Sequence, residues 1–123
     1  SSLATGGRLR ASGSQSITNA NLLLFGSQMP NSNALYLASN GQTSSVLGDG
    51  RFCLGGTIIR LGTKTNAGGF SQFPDVGQLP IATRVSAVAG QTSYFQIWYR
   101  NSAAFCTTAT FNDSNAWRVT WTP

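Results

Sequence analysis

Residues 93–100 read SYFQIWYR, with Phe95, Ile97 and Tyr99 at one set of alternate positions and Tyr94, Gln96, Trp98 and Arg100 at the other. Strict alternation is the mark of a strand with one face in a core. The same period recurs along the chain. Arg8-Leu9-Arg10-Ala11 alternates, and the stretch from Ala20 to Phe25, built on Leu22-Leu23-Leu24-Phe25, reads as a buried strand. Leu35-Tyr36-Leu37-Ala38 predicts a short strand closed by a Ser39-Asn40-Gly41 turn. Gly48-Asp49-Gly50 predicts a second turn, before strands at Arg51-Phe52-Cys53-Leu54 and Thr57 to Leu61. Thr63 to Pro80 is irregular, with Phe70 and Phe73 as aromatic anchors of a long loop. Ile81, Thr83, Val85 and Ala87 alternate with Ala82, Arg84 and Ser86, which predicts another strand. Phe111 to Asn115 reads as a turn, and the last strand points Trp117, Val119 and Trp121 one way.

No stretch sustains a helical period. Seven or eight short strands separated by Gly-rich turns predict an all-β fold, an antiparallel β-sandwich of jelly-roll type, with a closed barrel as the alternative. The 123 residues form one domain by size, and no repeat or linker divides them. Phe95, Ile97 and Tyr99 are expected to share a core with Trp117, Val119 and Trp121. Residues 1–11 are set apart as an extended N-terminal strand or arm, with Leu3, Arg8, Leu9 and Arg10 as its contact residues.

The segments LLLFGSQ, LGDGRFCLGGTIIRLG, SYFQIWYRN, AFC and FNDSNAWRVTWTP occur in that order from Ala20 onward. In sequence and spacing they resemble a recurrent β-rich domain of secreted planctomycete and myxobacterial proteins. The shared features are a Gly-rich turn before a Cys, a Gly-Gly pair with an Arg-Leu strand, a Gln-x-Trp-Tyr-Arg strand and an Asn-containing closing turn. Asn101 stands where that family usually has Asp. The resemblance implies an exported β-rich domain and carries no catalytic residue.

Composition narrows the function. Ser (15), Thr (13), Asn (9) and Gln (7) dominate the polar set, while charged residues are only 9%, against about a quarter in typical soluble domains. The expected surface is neutral and rich in hydrogen-bonding groups, suited to secreted binding modules or to subunits that lie against copies of themselves. The net charge of +5 comes from seven Arg and one Lys against three Asp. These Arg are scattered, and a nucleic-acid site would cluster them with Lys; nucleic acid is therefore not an expected partner. No apolar run is long enough to span a bilayer. The start at Ser1, with neither an initiator Met nor a basic-then-apolar leader, suits a mature exported chain or a trimmed one. In such a chain Cys53 and Cys106 are expected to form one disulfide, worth about 4 kcal/mol in the chain-entropy model.

Chemistry is limited by the absence of His and Glu. A Ser-His-Asp triad lacks its base, and Cys-His catalysis fails for the same reason. Asp49, Asp75 and Asp113 each lie beside Gly, Pro or Asn, where Asp favours a turn, and a single carboxylate per loop is weak support for calcium. Asn112-Asp113-Ser114 matches a glycosylation sequon, read here as coincidence. The chain is expected to be no enzyme and to need no metal or cofactor. Two functions are left. One is a secreted structural subunit that assembles with copies of itself into a filament or surface layer, with the N-terminal arm adding a strand to a neighbour. The alternative is a carbohydrate-binding or adhesive module that uses Tyr94, Gln96, Trp98 and Arg100 as an exposed recognition face.

Overall fold

The computed structural model describes residues 7–47, 50–75, 77–100 and 111–123. Arg8, Leu9 and Arg10 form the strand that their alternation predicts, β1 (Arg8–Ser12), and only Leu9 of the three turns inward. The apolar run supplies β2 (Leu23–Ser27). It pairs antiparallel with β1 and with β5 (Ser71–Phe73), giving a three-stranded sheet in the order β1-β2-β5. The second sheet has five strands. In it β4 (Gly50–Thr65) pairs with β3 (Asn33–Leu47), and β3 with β6 (Thr92–Arg100). The other edge of β6 carries both β7 (Phe111–Asp113) and β8 (Trp117–Thr120).

The two sheets share one core. Leu9, Leu24 and Phe73 from the smaller sheet pack with Tyr36, Phe95, Ile97, Tyr99 and Val119 from the larger, and Trp121 closes the cluster. Trp117 packs against it from a half-buried position. The expected meeting of the β6 aromatics with the final strand is therefore observed. Gly26 sets the spacing between the sheets. A Cβ there would lie 2.5 Å from Met29 Cε and 2.6 Å from Ile97 Cδ1.

Four sequence expectations are corrected. Ser39-Asn40-Gly41 does not end a strand: β3 runs through it with register shifts, so β3 and β4 make one long hairpin of 15 and 16 residues. Asn40 Oδ1 accepts from the Thr57 amide at 2.9 Å, absorbing the irregularity that the turn-like residues create. The expected strand at Ile81–Ala87 is a single helical turn, α1 (Ile81–Arg84). Pro80 starts it with a fixed φ, and Ile81 and Ala82 are both buried, which an alternating strand would not allow. It closes with a Schellman pattern, Ala87 N–H to Ala82 O and Ser86 N–H to Thr83 O, with Ser86 left-handed at φ 51°. The supposed loop from Thr63 to Pro80 holds the end of β4 and all of β5. Finally, Asp113-Ser114-Asn115 does not reverse the chain. β7 and β8 both run antiparallel to β6, and residues 114–116 are an outward step between them, with Ser114 N–H donating to Ile97 O at 2.9 Å.

Candidate functional site

The face first singled out on β6 is covered at Gln96. Gln96 is 1% exposed. Its Oε1 accepts from the Cys53 backbone amide at 2.9 Å, and its Nε2 donates to Ser114 O at 2.6 Å. Because β3 separates β4 from β6 in the sheet, that contact requires the far half of the β3–β4 hairpin to bend over the outer face of β6. Leu37, the cross-strand partner of Gln96, and Leu54 are buried there as well, outside the main core. Gln96 is thus a clamp between strands and not a ligand contact. Tyr94 and Trp98 are half-buried, and the Arg100 side chain lies outside the described part of the structure.

Of the N-terminal arm the structure describes Gly7 onward, and there Leu9 faces its own chain. Leu9 is 1% exposed in the core of its own chain. Its backbone N–H and C=O are both taken by the Asn115 amide, at 2.7 and 3.1 Å. Arg8 and Arg10 are exposed on β1, and Leu3 lies outside the described residues. Cys53 is half-buried on β4; Cys106, its expected partner, also lies outside the described residues. Asp75 sits in a turn, where its carbonyl accepts from Gln78 N–H, and its carboxylate pairs with Lys64. Asp113 belongs to β7, and Asp49 lies outside the described residues. Among the described residues no three His, Cys, Asp or Glu side chains gather where a metal could be held.

What the structure adds is a groove of about 570 Å³ at one end of the core. Here the inner face of the larger sheet extends past the cover given by the smaller one. Register places Ala38 and Ile59 opposite each other on that inner face, and both line the groove. Asn40, Thr57 and Ser93 continue the sheet wall, and the α1–β6 connection supplies the other wall with Val85, Ser86 and Gln91. No lining residue is charged. Ile59 and Val85 give apolar contact, and both also touch the core.

The polar groups of this groove are partly pre-set. Asn40, which lines the groove, uses Oδ1 on Thr57 N–H, which leaves Nδ2 as the donor of its amide. Ser93 Oγ accepts from the Trp121 indole at 2.9 Å, which leaves its own proton to donate. The Gln91 backbone is pinned, its amide to Val88 O and its carbonyl by Trp121 N–H, so its side-chain amide is presented from a fixed point. The wall at Ser86 is held by the Schellman closure of α1. Such a set offers neutral donors and acceptors at fixed places, with no acid, base or nucleophile activated among them.

Of the groove residues only Tyr94 belongs to the face read from the sequence. Ala38, Thr57, Ile59 and Ser93 come from strands the sequence predicts, and the rest from a supposed turn, a supposed strand and a connecting loop, with no spacing along the chain that links them. Comparison of the chain with protein-family models, with curated proteins and with solved structures finds no match in any of the three.

Proposed function

We propose that this chain is an exported, non-enzymatic binding module whose end groove takes a neutral, hydroxyl-rich ligand, a short run of saccharide units. The observation that carries this reading is the lining itself: Asn40, Thr57, Ser86, Gln91 and Ser93 around the aliphatic side chains of Ala38, Ile59 and Val85, with no charge. The volume lies within the range of small-ligand clefts, roughly 300–1,000 Å³. Amides and hydroxyls match sugar hydroxyls as donors and acceptors, and Ile59 and Val85 suit the C–H face of a ring. Export, a jelly-roll connection of the two sheets and a Cys53–Cys106 disulfide belong to the same proposal. They are supported by the resemblance to secreted planctomycete and myxobacterial domains and by the even cysteine count.

A glycan array with the wild type, Asn40→Ala and Ser86→Gly tests the groove. Ser86→Gly removes a groove hydroxyl at a left-handed position that glycine adopts without steric cost, so its fold is expected to survive. Wild-type retention on a neutral glycan, lost in both variants while their thermal melts stay cooperative, supports the reading. No retention on any neutral glycan overturns it.

A second reading, self-assembly into a filament or layer, has its own observation. β4 pairs with β3 alone, so the Gly55–Arg60 edge has no second strand neighbour among the described residues, and Ile58 on it is 44% exposed. An open edge is a template for adding a strand from another copy. Donation of β1 is not part of this reading, because Leu9 already fills the core of its own chain. Sedimentation of wild type and Ile58→Lys checks it: assemblies that vanish in the variant support the edge, and assemblies unchanged by it exclude it.

A further inference from the structure

The outer face of the β1-β2-β5 sheet bears no relation to the groove. Leu9, Leu24, Gly26 and Phe73 point inward, so the alternate positions Arg8, Arg10, Phe25 and Gln72 point out. Register aligns Arg10, Phe25 and Gln72 in one row across the three strands. Arg8 lies in the next row, opposite Ser27. Phe70 stacks on Phe25, with ring centroids 6.1 Å apart and planes at 28°, and is 44% exposed.

The stack is held firmly from below. Ala67 and Phe70 exchange both backbone hydrogen bonds across Gly68 and Gly69, which have φ of 62° and 76°. Those angles define a tight primed turn that side chains rarely enter. Asn31 Oδ1 accepts from the Gly69 amide at 2.7 Å, and Gly69 O accepts from Met29 N–H. Phe70 is therefore presented on a braced turn.

The charge on this face is one-sided. β1, β2 and β5 contain no carboxylate. Among the described residues the one ion pair is Lys64–Asp75, and neither Arg8 nor Arg10 makes a side-chain hydrogen bond. Two guanidinium groups thus stand two residues apart on one strand face, about 7 Å along it. Beside them lie an aromatic pair and the neutral groups of Gln72 and Ser27.

From this we infer that the outer face of the β1-β2-β5 sheet is a docking surface for an anionic polysaccharide. Guanidinium forks bind carboxylate or sulfate oxygens in a bidentate manner. The Phe25–Phe70 pair takes the apolar face of a sugar ring, and Gln72 and Ser27 reach its hydroxyls. A single nucleic-acid strand also has anions and flat rings. Its sites, however, combine a continuous basic groove with successive stacking platforms, and this face has two cations and one platform.

The test uses affinity electrophoresis of the full chain through gels containing polygalacturonate, heparin or a neutral glucan, with single-stranded DNA as a separate competitor. Retardation is expected with polygalacturonate, heparin or both, which separates carboxylate from sulfate recognition; any retardation by the neutral glucan belongs to the groove and should be lost in Asn40→Ala but kept in Arg8→Gln/Arg10→Gln. With two anion contacts, affinity should fall about tenfold between about 50 mM and 200 mM salt. The double variant Arg8→Gln/Arg10→Gln should lose at least about tenfold, and Phe70→Ala a few-fold, roughly what one lost stacking contact is worth. Arg118→Gln, an exposed arginine of the other sheet, should bind as the wild type does. Equal loss in Arg118→Gln, no retardation by either polyanion, or tighter binding to DNA than to the polysaccharides would overturn the proposal. All substituted side chains are exposed, and matching thermal melts confirm that each variant is folded. Asn40→Ala in the groove should leave polyanion retardation unchanged, so this surface and the groove stand or fall separately.

Discussion

Gln96 on β6 ties β4 to the step between β7 and β8 through one amide, holding the Cys53 amide and the Ser114 carbonyl. Replacing it with Leu keeps the volume but removes both bonds, one to the buried Ser114 carbonyl and one to the part-buried Cys53 amide. Gln96→Leu is expected to cost about 2–4 kcal/mol, measured as a shift in the urea midpoint. Tyr36 gives a pH signature. Burial pushes its hydroxyl above the ordinary value of 10.0, against the opposing hydrogen bonds from Ser71 and the Gly26 backbone. Below the unfolded value both states keep the proton, and this residue's contribution to stability is intact. As pH rises past it the unfolded chain ionises first, so stability is lost progressively until the raised folded value is passed. Urea unfolding at about pH 9 and about pH 11 should therefore show a smaller alkaline loss in Tyr36→Phe than in the wild type. Tyr36→Phe should also cost about 1 kcal/mol at neutral pH, for the lost Tyr36–Ser71 bond.

Short elements here are held by side chains that stand in for backbone. β1 is an edge strand whose free groups at Leu9 are both satisfied by the amide of Asn115. Asn115→Ala should leave the larger sheet intact while β1 amides exchange faster with solvent, a local loosening that hydrogen exchange by NMR would resolve. A uniform loss of protection in both sheets would show instead that β1 and the larger sheet unfold as one unit. α1 depends on tertiary contacts in a similar way, since four residues cannot hold a helix alone. Arg84 fixes it by donating to Leu79 O at 3.0 Å and to Leu61 O at 3.2 Å, with its guanidinium 4.9 Å from the centre of the Phe73 ring. That group also occupies one carbonyl on the β4 edge, just beyond the open stretch from Gly55 to Arg60.

For the molecule as a whole, β1 is part of the fold and not an appendage. Leu9→Ala is expected to destabilise the protein by about 2–5 kcal/mol, the range for large-to-small changes in a core, as read from thermal melts. Deleting residues 1–11 should accordingly lower the melting temperature sharply. A truncated protein that melts like the full chain would contradict the placement of Leu9. The proposed Cys53–Cys106 disulfide is checked by mass spectrometry of alkylated protein with and without reductant. Two labels gained only after reduction are expected.

Period-two patterning was enough to assign the class of the fold and much of its core. Alternation at β6 and β8 assigned Phe95, Ile97, Tyr99, Val119 and Trp121 to the inside, because period two leaves an apolar side chain on a half-buried strand no other choice of face. At Leu9 the alternation was legible but its destination was not: the residue read as an arm contact, and only the pairing of β1 with β2 puts it in the core of its own chain. The path of the chain was not. Ser39-Asn40-Gly41 has the composition of a turn, yet the strand continues because Asn40 bonds to Thr57, a residue 17 positions away. Ile81–Ala87 alternates like a strand, yet it coils because Ile81 and Ala82 both find the core. Gln96 read as outward-facing and is outward-facing, but only the bent hairpin decides that the outside of β6 is covered. The groove is set by tertiary structure alone: its walls come from β3, β4, β6 and the α1–β6 connection, and local periodicity holds no information about which ends of these elements meet.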